Sequence, residues 1–79
     1  MRNKTIGPLI RAARERKGLT QAELGRAIGI RNNNTAQVTI SKYERDVVFP
    51  TNRLGGLVKV LKLPRKRVTA LAMSQLWSV

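Results

Sequence analysis

The chain has 79 residues, a formal net charge of +12 at pH 7, and neither cysteine nor histidine, which excludes disulfides, thiolate metal sites and imidazole catalysis. Its four carboxylates form no catalytic pair and it has no glycine-rich phosphate loop, so we expect no enzyme activity, no metal and no cofactor. Sixteen lysines and arginines favour a polyanionic partner, while 42% hydrophobic residues without a membrane-length apolar run indicate one small globular domain.

The hydrophobic pattern predicts five helices and no strand. The first runs from about Ile6 to Lys17, with Thr5 as its N-cap and apolar residues at helical spacing. The second begins after the N-cap Thr20, and Glu23, three residues later, is placed to close a capping box. Gly29 is expected to end this helix, because glycine readily adopts the left-handed conformation of a helix exit.

The third helix is predicted to run from Ala36 to about Arg45, with Thr35 as its N-cap. It follows the second helix through a short joint, and Gly25 supplies the small residue that a close crossing of two helices needs. Two short helices joined in this way allow one helix to support another whose outer side enters a groove of DNA.

The fourth helix is predicted to follow Thr51 as its N-cap, with Gly55 and Gly56 in its middle. Each mid-helix glycine costs about 1 kcal/mol relative to alanine. Pro64 is expected to be the first residue of a fifth helix that reaches about Leu76. The predicted fold is therefore all-α, with residues 1–79 forming a single domain.

In these features the chain resembles the lambda-repressor-like helix-turn-helix domains of phage repressors, Cro proteins and related bacterial regulators. The matching segments are 17–24, 29–30, 40–45 and Pro50, and the family pattern covers about residues 6–71. The resemblance implies a compact five-helix fold whose helix-turn-helix is formed by helices 2 and 3. It also implies a partner, double-stranded DNA, that receives helix 3 in its major groove.

The resemblance implies roles for individual residues. Gln37 is placed to pair with adenine and Lys42 to donate to guanine. Val38 is expected either to contact a base or to pack in the core. Arg14 and Glu44 match a structural ion pair that bridges the first and third helices. The DNA-contacting positions that the resemblance implies are Gln21, Gln37, Val38, Thr39, Lys42 and Arg53.

The joint between the second and third helices is longer than the family pattern needs. Nine residues, 31–39, separate Gly29-Ile30 from Ile40, where most family members have fewer. Either the extra residues form a longer loop, or the third helix starts a turn earlier, near Asn33. In both cases we expect contact with DNA here, the alternative being a solvated turn. The candidate contacting residues of this joint are Arg31, Asn32, Asn33, Asn34 and Thr35.

A second apolar stripe on the fifth helix, offset from its core face, predicts a homodimer interface within the C-terminal segment 69–79. The candidate interface residues are Met73, Leu76 and Trp77, unless Trp77 folds back over its own core. We expect a cytoplasmic repressor that binds an inverted-repeat operator as a homodimer. The alternative is an antitoxin that binds a toxin protein and represses its own operon. RNA binding is disfavoured because aromatic residues for base stacking are few.

Overall fold

The computed structural model of the protein describes residues 5–77, with side chains described through residue 74. In this part of the chain there are five α-helices and no strand, so the predicted all-α fold is confirmed. The helices are α1 Ile6–Arg16, α2 Gln21–Ala27, α3 Asn33–Glu44, α4 Leu54–Leu61 and α5 Arg65–Trp77.

Local signals set the ends of α1 and α2. Gly18 and Gly29, which follow them, have φ values of 71° and 105°, a conformation that costs glycine nothing. The predicted capping box of α2 is present. The Thr20 hydroxyl accepts from the Glu23 N–H at 3.0 Å, and the Glu23 carboxylate accepts from the Thr20 N–H at 2.8 Å. Two backbone donors that the helix leaves unpaired are thereby satisfied.

The start of α3 at Ala36 was wrong by one turn, and the alternative start near Asn33 is confirmed. The N-cap is Asn32, whose Oδ1 accepts from the Thr35 N–H at 3.0 Å, and the first helical residue is Asn33. The Asn32 carbonyl also accepts the first helical hydrogen bond, from the Ala36 N–H at 2.8 Å. Thr35 therefore lies inside the first turn. The extra residues of the joint extend the helix rather than lengthen the loop.

The predicted start of α4 was also wrong. Residues 51–53 form a turn, and the N-cap position is occupied by Arg53 rather than Thr51. The helix is short, so Gly55 and Gly56 lie in its first turn and not in its middle.

The core is built from aliphatic side chains of all five helices. Ile10, Leu24, Ile40 and Leu57 are each 0% exposed, and Val68 of α5 is 3% exposed. Full burial of such a side chain contributes about 1.5–3 kcal/mol. These contacts hold α1, α4 and α5 behind the α2–α3 pair and leave the far side of α3 uncovered.

The C-terminal helix α5 begins at Arg65, one residue later than predicted, and the Pro64 carbonyl accepts its first hydrogen bond, from the Val68 N–H at 2.9 Å. Met73, one of three predicted interface residues, is 53% exposed. The side chains of Leu76 and Trp77 lie outside the described residues.

Asp46, in the turn after α3, caps α1. Its Oδ1 accepts from the Gly7 N–H at 3.0 Å, and its Oδ2 accepts from the Thr5 hydroxyl at 2.6 Å. Thr5 holds the predicted N-cap position, although its side chain makes no capping hydrogen bond. A Cβ at Gly7 would clash with the Glu44 carbonyl and lie 2.8 Å from Asp46 Oδ2. The glycine at position 7 therefore permits the close approach of α1 to the turn that follows α3.

Replacing Asp46 with glycine is expected to lower the free energy of unfolding by about 1 kcal/mol, the usual loss when a helix cap is removed. Asp46 has a φ of 59°. Glycine relieves that conformation, which roughly offsets its extra freedom in the unfolded chain. Asp46→Asn keeps an acceptor oxygen and should lose less than half as much. Urea unfolding measures both, and equal losses would contradict the capping role.

Candidate nucleic-acid interface

The angle between α2 and α3 is set by a close contact of two small residues. A Cβ at Gly25 would clash with the Ala36 Cβ and lie 2.8 Å from the Ala36 Cα. Ala36 itself is 0% exposed. The predicted role of Gly25 in a close crossing is confirmed. The backbones approach too closely for any side chain at position 25.

The connection between the two helices is compact and partly buried. The Ile30 N–H donates to the Gly25 carbonyl at 3.0 Å, and the Ile30 side chain is only 6% exposed. Arg31 and Asn32 follow as exposed residues. Because Asn32 caps α3, one of the predicted DNA-contacting side chains also has a structural role in the start of this helix.

Helix α3 buries one side and exposes the other. Ala36, Ile40 and Tyr43 are buried. At about 100° per residue, positions two residues away from this stripe point in roughly the opposite direction. We call these positions the outer face of α3, and they are Asn34, Val38, Ser41, Lys42 and Arg45.

Val38 is 52% exposed, so it does not belong to the core. Gln37 is exposed on one flank of the outer face, whereas Thr39 is half-buried at its other edge. A shallow depression of 320 Å³ joins several predicted residues on one flank. Its lining residues are Asn34, Thr35, Val38, Thr39 and Lys42.

Arg45 was missed as a site residue. It is exposed at the end of α3, and its Nε donates to Ser41 Oγ at 3.1 Å and to the Ser41 carbonyl at 3.3 Å. The spacing of seven residues from Val38 is a signal that could have found it, since residues seven apart share a helix face. Arg45 adds a cation to the outer face.

A second missed cation, Arg26, lines a depression with the predicted residue Arg31 at the joint between α2 and α3. Gln21 and Gln37 line another depression, between the start of α2 and the flank of α3. Arg53 is exposed at the N-cap of α4. The predicted residues therefore divide into groups around the α2–α3 pair, with Arg53 on a separate element.

A buried network joins α1, α2 and α3. Arg14 Nε donates to Glu44 Oε2 at 2.6 Å and Arg14 Nη2 to Glu44 Oε1 at 3.3 Å. Gln21 Nε2 donates to the same Oε1 at 3.1 Å, and Arg14 Nη1 to the Leu19 carbonyl at 2.8 Å. The Glu44 and Arg14 side chains are 4% and 12% exposed. Hydrogen bonding to Glu44 raises the pKa of Arg14 above its ordinary value.

Every carboxylate side chain of the sequence has an intramolecular partner. Glu15 lies 3.3 Å from Arg11 Nε, Glu23 caps α2, Glu44 binds Arg14, and Asp46 caps α1. None of these carboxylates lies on the outer face of α3. The surplus of cations is therefore left to attract an external polyanion.

Within residues 5–77 no helix is long and apolar enough to cross a membrane, and no group of three potential metal-ligating residues occurs. A comparison with known protein families shows that residues 10–66 match the family described as helix-turn-helix. No curated protein and no solved structure matches the chain. Proteins of this family are regulators that bind DNA and are not typically enzymes. The chain belongs to the helix-turn-helix family, and it is a DNA-binding transcriptional regulator of the lambda-repressor-like, XRE type.

Proposed function

We propose that this regulator recognises a specific duplex sequence by placing the outer face of α3 in the major groove. The observation that carries the proposal is the composition of the exposed side of α3. It contains amide, hydroxyl and cationic groups and one exposed valine, and it contains no carboxylate. A major groove presents hydrogen-bond donors and acceptors together with thymine methyl groups, and the surrounding phosphates repel acidic side chains.

Individual side chains match individual base features. Lys42 donates to the guanine acceptors, and Gln37 pairs with the donor and acceptor of adenine. Val38 contacts a thymine methyl, a role that its 52% exposure supports because an exposed aliphatic side chain gains from such a contact. Thr39, at the edge of the face, is placed for its methyl to contribute in the same way. Arg45 extends the cationic part of the outer face toward the phosphates.

Contacts with the DNA phosphates surround the outer face of α3. Gln21 has one amide hydrogen engaged with Glu44 and a second available to a phosphate. Arg53 stands at the N-terminus of α4, where backbone N–H groups also attract phosphate. Arg26 and Arg31 add charge at the joint. These contacts position α3 and contribute most of the affinity, so binding should weaken steeply with salt.

Replacing Lys42 with alanine is expected to weaken binding to a preferred duplex by about 1–3 kcal/mol and to relax the base preference at one position. Lys66→Ala removes the same charge from an exposed site on α5 and is the matched control. It should change affinity for preferred and random duplexes equally. The measurement is fluorescence anisotropy with both duplexes over a series of salt concentrations. If Lys42→Ala behaved like Lys66→Ala, α3 would not be the reading element.

The additional turn of α3 brings Asn33 and Asn34 to the end of the helix that leads into the joint, where both are exposed. The double variant Asn33→Ala/Asn34→Ala should weaken binding to the preferred duplex by about 1–3 kcal/mol, because Asn amides pair with adenine, and it should leave unfolding unchanged.

The neighbouring variant Asn32→Ala distinguishes a loss of helix stability from a loss of base contacts. It removes the cap of α3 and should lower the free energy of unfolding by about 1 kcal/mol. Stability is measured by urea unfolding and affinity by duplex titration. An unchanged affinity in the double variant would show that the additional turn is solvated and does not read DNA.

Repression follows if the protein occupies a promoter as a homodimer on an inverted repeat, in the cytoplasm where its DNA lies. The exposure of Met73 on α5 supports an apolar contact between two copies near the C-terminal end of this helix. Two α3 helices related by a twofold axis then enter successive major grooves. This arrangement predicts the symmetry of the preferred site.

A further inference from the structure

A groove of 610 Å³ runs between α4 and α5 and takes no part in the DNA contacts described above. Its apolar lining comes from Leu54 and Val58 on α4 and from Val68 on α5. Lys59 and Arg65 also line it, and both are exposed. The groove therefore combines an apolar floor with cationic edges, which is the composition that an amphipathic peptide with acidic residues complements.

Gly55 lines this groove and leaves a gap where another residue would place a side chain. A Cβ placed there meets no atom within 4 Å, whereas a Cβ at Gly7 or Gly25 collides with its neighbours. Gly55 also lacks the positive φ of Gly18 and Gly29. Neither packing nor backbone conformation requires glycine at this position, although a helical glycine costs up to about 1 kcal/mol relative to alanine. The open space beside Gly55 leaves room for an external chain to approach the backbone of α4 closely.

We propose that the α4–α5 groove binds an acidic amphipathic helix of a partner protein. Apolar side chains of that helix lie against Leu54 and Val58, and its carboxylates face Lys59 and Arg65. Duplex DNA presents phosphates and polar base edges, and not a row of apolar groups that could cover the floor of the groove.

A second copy of the chain is also a poor occupant of the groove. All four of its carboxylates lie between residues 15 and 46 and already have partners. From residue 47 onward every charged side chain is cationic. Docking of such a surface would bring like charges together at Lys59 and Arg65.

The test uses a synthetic peptide of about 12 residues with leucines at helical spacing and glutamates between them. A scrambled peptide of the same composition controls for charge attraction alone. The protein variants are Gly55→Leu, which fills the groove from its open side, and Ala12→Leu, which adds the same side chain at an exposed position of α1. Peptide binding is measured by anisotropy, the fold by circular dichroism, and the oligomeric state by sedimentation.

We expect the amphipathic peptide to bind at least about tenfold more tightly than the scrambled one, because only its leucines share one helix face. Gly55→Leu should lose that advantage with its helix content intact, and Ala12→Leu should keep it. Charge reversal, Lys59→Glu/Arg65→Glu, should transfer the preference to a peptide with lysine in place of glutamate.

Three results would overturn the proposal. The first is equal binding, or no binding, of the two glutamate peptides. The second is a change in sedimentation of Gly55→Leu, which would assign the groove to a second copy. The third is a loss of duplex affinity in Gly55→Leu with peptide binding unchanged, which would assign it to DNA.

Discussion

Replacing Glu44 with alanine is expected to lower the free energy of unfolding by about 3–5 kcal/mol, the usual cost of removing one partner from a buried ion pair. The Glu44 carboxylate is 4% exposed and accepts three hydrogen bonds, two from Arg14 and one from Gln21. Without it the Arg14 side chain, 12% exposed, keeps the Leu19 carbonyl as its hydrogen-bond acceptor and a 3.9 Å contact with the partly exposed Glu15 carboxylate. A small domain has roughly 5 kcal/mol of total stability. At the upper end of the expected loss, about half of the variant would therefore be unfolded near room temperature.

Two further variants identify the cause of that loss. Glu15→Ala breaks an exposed pair, with Arg11 and Glu15 at 65% and 55% exposure, and should change stability by less than about 0.5 kcal/mol. The double variant Arg14→Met/Glu44→Leu replaces both charges with apolar groups and should lose less than Glu44→Ala alone. Urea unfolding followed by circular dichroism measures all three. A double variant less stable than Glu44→Ala would contradict the explanation by an unpaired buried charge.

Replacing Gly25 with alanine is the second large effect. The new methyl would overlap the Ala36 Cβ and approach the Ala36 Cα to 2.8 Å, and no side-chain rotation relieves a contact with backbone. The two helices must separate, at a cost of about 1–3 kcal/mol for overpacking. Because that separation changes the angle of α3, affinity for a preferred duplex should fall more than stability alone explains.

Gly55→Ala is the matched control, since it adds the same methyl to a helical glycine that faces open space. It should stabilise the protein slightly, by less than the roughly 1 kcal/mol of a helix-interior glycine, because Gly55 lies in the first turn of α4. Thermal unfolding and duplex titration of both variants provide the comparison. We expect Gly25→Ala to lower stability and Gly55→Ala to raise it. A loss of the same size in both variants would mean that Gly25 does not set the angle between α2 and α3.

Signals contained within a few residues predicted much of this fold. The capping box of Thr20 and Glu23 and the exit at Gly29 depend on neighbours in sequence, and α2 forms where they indicate. The start of α3 was harder because Asn32 and Thr35 are both good caps. In the structure Asn32 is the cap, and Ala36, which lies against Gly25, is the fourth residue of the helix.

Features that depend on distant residues were not predictable. The cap of α1 comes from Asp46, which accepts a hydrogen bond from the N–H of Gly7, 39 residues earlier in the chain. The outer face of α3 depends on which side of the helix the core covers, and the pattern alone did not assign Arg45 to it. Gly55 was predicted either to allow close approach of another helix or to weaken its own helix, and only the space around it connects this glycine to a groove.

The central claim is that α3 reads a specific duplex sequence, and selection of bound duplexes from a random pool tests it most directly. The account predicts one enriched inverted repeat whose half-site centres lie about 10–10.5 base pairs apart, one helical turn of DNA. The same selection with Lys42→Ala should lose preference at one position in each half-site. A pool that shows no enriched sequence, or one whose enrichment is unchanged in Lys42→Ala, would contradict the claim.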